Sequence, residues 1–403
     1  MKRLQFNRKS NQLAPISRLP DEILLLVMAE GVKCQTNEVS FRFERAISRV
    51  SSHWRALAIS DPSLWSCVPM TPNLPSRLFD AYLQRSLNNL LCLEFRGWEP
   101  SEPPSKQRRG LLQAYLDLIL SNCAFRIHSM KIFGMETELL ELFVFQLRMP
   151  VLEHLSVYST LDGRRTDLLD VGCIFDIENT VPALHSLEFE DMRLFIPTDG
   201  NNDAPAVKKL RLTTTTAYSR NADSGDLYTG HGTSIIEPSD FYNVLSTLPN
   251  LRCIILDGRV VDLASNQFPV LATFPLVETI QFYNSVAVLA EALAFINVFS
   301  GVNHLILGGS DIASFTRNLP MLAQGTWPFL KCLTIMDLEP GSLDGFPGWL
   351  NLRREAGHPK LHLEVLAPIG PADEQDTVRE TLRNLVTDGL LCDSSRFNGY
   401  EML

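Results

Sequence analysis

The sequence predicts an α/β chain: a small helical module followed by a long array of parallel strands that alternate with helices. Three observations lead to that class. One apolar pattern, with apolar residues at a position and again three and five places later, recurs beyond residue 85. Its copies are Leu90/Leu93/Phe95, Ile127/Met130/Ile132, Leu152/Leu155/Val157, Leu184/Leu187/Phe189, Val207/Leu210/Leu212, Leu251/Ile254/Leu256, Val277/Ile280/Phe282, Val302/Leu305/Leu307 and Leu330/Leu333/Ile335, with a weaker one in Leu361, Leu363 and Val365. Helical periodicity fills the intervals at 138–147, 241–248, 286–299, 312–322 and 378–385. Before residue 69 the periodicity is helical only. A strand followed by a helix, repeated, builds a parallel sheet with helices on one face, and each unit buries its apolar side by stacking on its neighbours.

The helical module is expected over 16–68, after a mobile basic tail at 1–15 that holds Lys2, Arg3, Arg8 and Lys9. Pro20 suits an early helical position, Asp21 and Glu22 favour the dipole of a first turn, and Gly31 suits a stop, which places helix one over 20–30. Phe43, Ala46, Ile47 and Val50 share one face of a second helix over 39–50. Ser51 or Ser52 can cap a third helix bearing Trp54, Leu57 and Ala58, which Asp61 and Pro62 end. A unit of about fifty residues has too little volume to bury all of Leu19, Pro20, Ile23, Leu24, Val27, Trp54, Leu64 and Trp65 internally, so some of them should face a partner. Residues 69–85 read as a linker helix region.

The motifs L-P-D-E-I-L, A-I-S-R-V-S-S-H-W-R-A-L-A and D-P-S-L-W follow one another within this module. In that order and at those distances they resemble the F-box, above all its form in large fungal families, although Ser51 stands where the family commonly has Cys. The resemblance implies binding to the Skp-family adaptor and, through it, to a cullin. By the same resemblance Leu19, Pro20, Ile23 and Leu24 would enter the adaptor groove, with Trp54 and Trp65 supporting or extending the contact.

The strand motifs recur at roughly the 20 to 29 residues typical of leucine-rich repeats, apart from longer steps such as the one from Val207 to Leu251. Residues 86–403 therefore resemble an irregular leucine-rich-repeat solenoid, which implies strands on a concave face and helices on a convex one. The asparagine of the family's turn is missing, since Trp98, Met135, Thr160 and Met192 stand at the first such positions, so curvature and turn geometry stay open. A doubly wound α/β domain is the alternative, without its glycine-rich phosphate loop. Loops are expected at 98–110, which is rich in proline and basic residues, and at 213–237, which is rich in Thr, Ser, Gly and Asp.

Composition limits the function. Of 403 residues 45% are hydrophobic and 20% charged, so the chain can bury a large core. The net charge of -10, with the basic tail included, argues against nucleic acid or an anionic membrane as the main partner. The longest apolar stretch, 286–302, carries Glu291 and Asn297 at amphipathic helical spacing, so no membrane span is expected. Eight scattered cysteines, with neither a C-x-x-C pair nor a glycosylation sequon nor a signal peptide, fit an intracellular protein of the cytoplasm, the nucleus or both.

No phosphate-loop, dinucleotide, G-x-S-x-G or H-E-x-x-H motif occurs, and Pro359 between His358 and His362 favours extended backbone over a helical ligand pair. No catalytic residue, metal or cofactor is expected. Side chains between the apolar strand positions share the opposite sheet face. Arg96, Phe133, Tyr158, Glu188, Arg211, Asp257, Tyr283 and Met336 are the candidate substrate contacts, and their mixed charge and aromatics suit a protein. The expected function is the substrate-recognition subunit of a Skp-cullin-F-box ubiquitin ligase, whose separate RING subunit recruits the conjugating enzyme. An F-box scaffold without ubiquitination and an α/β enzyme are the alternatives.

Overall fold

The computed structural model describes residues 15–33, 43–98, 106–135, 139–140, 148–158, 168–170, 181–195, 206–214, 236–258, 260–261, 273–283, 298–309, 327–336, 346–366 and 391–392. The chain is α/β and divides into two compact units, Met1–Leu155 and Ser156–Leu403.

The first unit opens with a 3-10 turn, Pro15–Arg18, and the helices α1 (Asp21–Lys33), α2 (Phe43–Ile47) and α3 (Ser52–Ser60). A second 3-10 turn, Pro62–Trp65, leads into β1 (Cys67–Met70), α4 (Ser76–Arg85), β2 (Leu91–Phe95), α5 (Lys106–Asn122) and β3 (Ile127–Phe133). β1 pairs with β2 and β2 with β3, all parallel. Ser51 is extended and its hydroxyl accepts from the Trp54 N–H, which caps α3 as its residue type predicts. Asp61 accepts from the Ser63 N–H and Pro62 follows, so the chain turns at once into the second 3-10 turn.

Trp65 is the centre of this unit. It is 0% exposed; its indole N–H donates to the Ala58 carbonyl at 2.6 Å, its ring meets Tyr82 edge-on at 5.4 Å, and the Arg85 guanidinium sits 4.1 Å from its centroid. The Tyr82 hydroxyl donates to the buried carboxylate of Glu44 on α2. α4 is therefore clamped to the preceding helices, which is why the chain does not separate at residue 68 or 85 but after residue 155.

Several sequence expectations change here. Helix one does not stop at Gly31: a Cβ there would overlap the Phe43 ring, so this glycine serves the close approach of α2 and the helix runs on to Lys33. Helix two is shorter than expected and leaves Val50 exposed, because Ser51 must be extended to cap α3; residues 34–42 lie outside the described residues. Pro69 and Met70 belong to β1, an edge strand where a proline is tolerated, and not to a linker. Leu90 is exposed and Leu91 takes the first inward position of β2. The 98–110 loop is corrected at both ends. Trp98 is buried and donates to the Met70 carbonyl at 2.9 Å, and residues 106–110 form the start of α5, whose Leu112, Tyr115, Leu116 and Ile119 supply a helical apolar stripe.

The second unit continues from β4 (His154–Tyr158), which runs across the division, through β5 (Leu168–Asp170), β6 (Ser186–Glu190), β7 (Arg193–Phe195), β8 (Lys209–Thr213), α6 (Pro238–Ser246), β9 (Cys253–Asp257), β10 (Thr279–Tyr283), β11 (His304–Gly308), β12 (Cys332–Met336), α7 (Phe346–Glu355), β13 (His362–Leu366) and β14 (Leu391–Cys392). β6, β8, β9, β10, β11, β12, β13 and β14 lie side by side in that order, each parallel to its neighbour, and β5 pairs with β7 separately. The apolar triads form register rows. Leu187, Leu210, Ile254, Ile280, Leu305, Leu333 and Leu363 make one buried row, and Phe189, Leu212, Leu256, Phe282, Leu307 and Ile335 the next.

In four of the second unit's triads the first member closes a tight turn that holds a proline before its strand. Leu184, Leu251, Val277 and Leu330 donate backbone N–H bonds to Val181, Leu248, Phe274 and Trp327, with Pro182, Pro249, Pro275 and Pro328 directly after each acceptor. The fixed φ of proline suits the second residue of such a turn. Arg353 on α7 is 4% exposed and donates to the carbonyls of Leu330 at 2.9 Å and Trp327 at 3.4 Å, so a buried cation ties helix to turn.

α6 lies where helical periodicity predicts it, shifted by a few residues, and Leu139 and Leu140 are helical and buried. The expected helices at 286–299, 312–322 and 378–385 lie wholly or almost wholly outside the described residues, as does most of the loop at 213–237. Among the described residues, no helix is long and apolar enough to cross a membrane.

The rows set a contrast in stability. Leu305→Ala should cost about 2 to 5 kcal/mol, since it leaves a void in a close-packed row. Arg252→Ala, which removes only the exposed pair with Glu278, should change stability by less than about 1 kcal/mol. Urea unfolding of both variants checks this.

Candidate functional site

Two surfaces carry unsatisfied or concentrated chemistry, one in each unit. On α1 the residues divide by helical spacing. Leu24 at 1% and Met28 at 0% exposure face inward, while Leu19, Ile23, Leu26 and Val27 stay exposed, Leu26 at 58%, with Pro20 and Ile16 exposed beside them. The backbone carbonyl of Pro20 accepts from the N–H groups of Ile23 and Leu24, so the proline opens the helix and sets the angle of this face. Asp21 meets His53 of α3 at 3.1 Å at the rim. A helix apolar on both sides needs cover on both sides, and among the described residues only the inner side is covered.

The structure thus separates the residues that the sequence groups together. Leu19, Pro20 and Ile23 lie on the outer face. Leu24 and Trp65 are in the core, because α1 packs on α2, α3 and the Pro62–Trp65 turn, and α4 packs on that same turn. Trp54 is half-buried. Leu26, which completes the outer face, was legible only as the position three after Ile23.

In the second unit, the sheet face opposite the apolar rows gathers acids around one arginine. Ser156 and Tyr158 of β4 donate to a single oxygen of Glu188 at 3.0 and 3.2 Å. Arg211 of β8 lies between Glu188 and Asp257, with Nε 3.3 Å from the former and a terminal nitrogen 3.5 Å from the latter. Glu190 stands within electrostatic reach of them with Asp191 beside it, so four carboxylates gather near one guanidinium that touches Glu188 and Asp257. Burial first, then the charges of Asp191 and Glu188, raises the Glu190 carboxyl above its ordinary range. Burial raises Asp257 as well, against the opposing pull of Arg211. Burial and the neighbouring Glu188 push the Tyr158 hydroxyl upward.

Tyr283 continues the row, paired in register with Asp257 on one side and Gly308 on the other. A Cβ at Gly308 would collide with the Tyr283 ring and crowd Met336, so the glycine leaves room for an apolar shelf next to the acids. Tyr158, Glu188, Arg211 and Asp257 are thereby brought together, and Tyr283 and Met336 extend the same face. Arg96 and Phe133 lie in the first unit and satisfy each other: Arg96 is buried, stacks 3.6 Å over the Phe133 ring and meets Glu94 at 3.5 Å. Ser156 and Asp191 join the acidic group without a signal in the spacing. Chemically the face offers acceptors and an apolar shelf, which suits a cationic group carried on an apolar segment.

No known family model matches the chain, and no curated protein matches it.

The raised Glu190 carboxyl has a pH signature. The folded chain holds its proton at pH values above the ordinary 4.5, so stability falls as pH rises through the window between that value and the raised one. Glu190→Gln should therefore raise the melting temperature at neutral pH and lose that advantage below pH 4.5, as thermal melts at the two pH values would show.

Proposed function

We propose that this chain is the substrate-recognition subunit of a Skp-cullin-F-box ubiquitin ligase, with α1 as the adaptor contact. The observation that carries the reading is the outer face of α1. Leu19, Ile23, Leu26 and Val27 are exposed on the helix opened by the L-P-D-E-I-L motif, and burial of such a face gains about 25 cal/mol per Å2 of apolar surface removed from water. Helix-in-groove recognition uses anchors at this spacing.

The repeats then supply the second contact. Consecutive strands stacked in sequence order support the leucine-rich-repeat reading of residues 86–403. The acidic face with its Tyr283 and Met336 shelf favours a protein substrate presenting lysine or arginine beside apolar residues. The chain itself performs no bond chemistry in this role. Holding a target lysine near an activated ubiquitin thioester raises its effective concentration, and that proximity accelerates transfer.

Co-purification of the full chain with adaptor and cullin tests the reading. Leu19→Asp with Ile23→Asp should weaken adaptor binding at least about 100-fold, as loss of two buried anchors does, with the circular dichroism spectrum unchanged. Leu24→Ala should instead lower the unfolding midpoint. An intact, folded chain that binds no adaptor rejects the proposal. Adaptor binding without ubiquitin transfer to captured proteins, in a system where a control receptor works, selects the scaffold.

A further inference from the structure

Three metal-ligating side chains from three adjacent strands, His304, Cys332 and Glu364, meet on the open face, with a fourth, His362, on the same face beside them. His304 begins β11, Cys332 begins β12 and His362 begins β13, and the register pairs His304 with Cys332 and Cys332 with His362. The residues that follow them, Leu305, Leu333 and Leu363, are all buried. By strand alternation the imidazole, thiol and imidazole therefore project together on the opposite face, where all three are half-buried. Glu364 lies two places further along β13 on that same face. The ligating atoms of His304, Cys332 and Glu364 all lie within 4.8 Å of one another.

We propose that His304, Cys332 and Glu364 bind one divalent transition ion of the zinc type, with His362 as the fourth donor. Ligands at about 2.0 to 2.3 Å from a tetrahedral ion stand roughly 3.3 to 3.8 Å apart, so closing His304, Cys332 and Glu364 on the ion requires only small side-chain movements. A mixed set of nitrogen, sulfur and oxygen donors selects zinc-like ions over calcium or magnesium, which take oxygen alone. Outer partners are in place too. The Thr334 hydroxyl donates to Glu364 at 3.1 Å, and its oxygen lies 2.8 Å from His304 Nε2, which orients both the carboxylate and the imidazole. A second thiol-bearing group, Cys67 and Cys92 on β1 and β2, has Glu94 as its third donor, but Glu94 is held by Arg96, whose positive charge opposes a cation.

The test uses the full reduced chain, freed of metal by a chelator and titrated with Zn2+ alone and, separately, with Co2+ alone. One equivalent should bind, and cobalt should show a thiolate charge-transfer band. Cys332→Ser should abolish that band, and Cys332→Ser, His304→Gln and Glu364→Gln should each weaken zinc binding at least about tenfold. Cys253→Ser, at the corresponding position of β9, should change neither. Glu364→Gln keeps the side-chain shape and decides the matter if the cysteine variant does not fold: unchanged affinity overturns the proposal. So does the absence of stoichiometric binding, a band that survives in folded Cys332→Ser, or a band that follows Cys67→Ser or Cys92→Ser instead.

Discussion

β6 and the strands from β8 to β12 each contribute two side chains to the same pair of buried rows, and parallel strands about 4.8 Å apart hold those rows in register. Slipping one strand by a single residue would turn its leucines out and its acids or histidines in, so the register carries the whole hydrophobic gain of that strand. Other features deliver the strands to it. The proline turns bring the chain to the first apolar position at one angle each time, and Arg353 locks one of those turns to α7 by its carbonyls. Burial lowers the affinity of that guanidinium for its proton, yet two carbonyls and the Trp349 ring compensate it in place.

The opposite face inherits the same register without the same composition. Because every second side chain is committed to the rows, the intervening ones are free to differ from repeat to repeat, and neighbours in register come within contact distance whatever their chemistry. At β6, β8 and β9 that proximity concentrates carboxylates around Arg211, and at β11, β12 and β13 it assembles imidazoles, a thiol and a carboxylate. The open face is thus divided into local chemistries, each spanning three or four strands. An acidic group beside an apolar shelf fits a protein partner better than a polyanion, in keeping with the net charge of the chain.

The first unit works under a different constraint. Trp65, Tyr82 and Glu44 form a small centre that recruits α4, while Leu19, Ile23, Leu26 and Val27 of the outer face stay exposed. Docking onto that face would stabilise the unit as well as join it to a partner, since the exposed leucine, isoleucine and valine are already held on a capped, ordered scaffold. Pre-ordering of this kind reduces the entropy lost on association.

The sequence by itself determined the class and the strands that carry the recurring apolar triad, because period-two and period-3.6 patterns are local and each repeat restates them; β1, β5, β7 and β14, which carry no triad, were not legible in it. It also determined the helix caps at Ser51 and Asp61, whose chemistry acts within three residues. Tertiary structure decided what local pattern leaves open. Leu24 and Trp65 carry the same residue-level signal as Ile23 and Trp54, and only the packing of α1 on α2, α3 and the Pro62–Trp65 turn, with α4 against that turn, sends them into the core. Gly31 looks like a helix stop until the Phe43 ring is seen against it. The grouping of Tyr158, Glu188, Arg211 and Asp257, and that of His304, Cys332 and Glu364, each joins residues dozens of positions apart. Their meeting depends on strand register, which spacing along one chain does not specify.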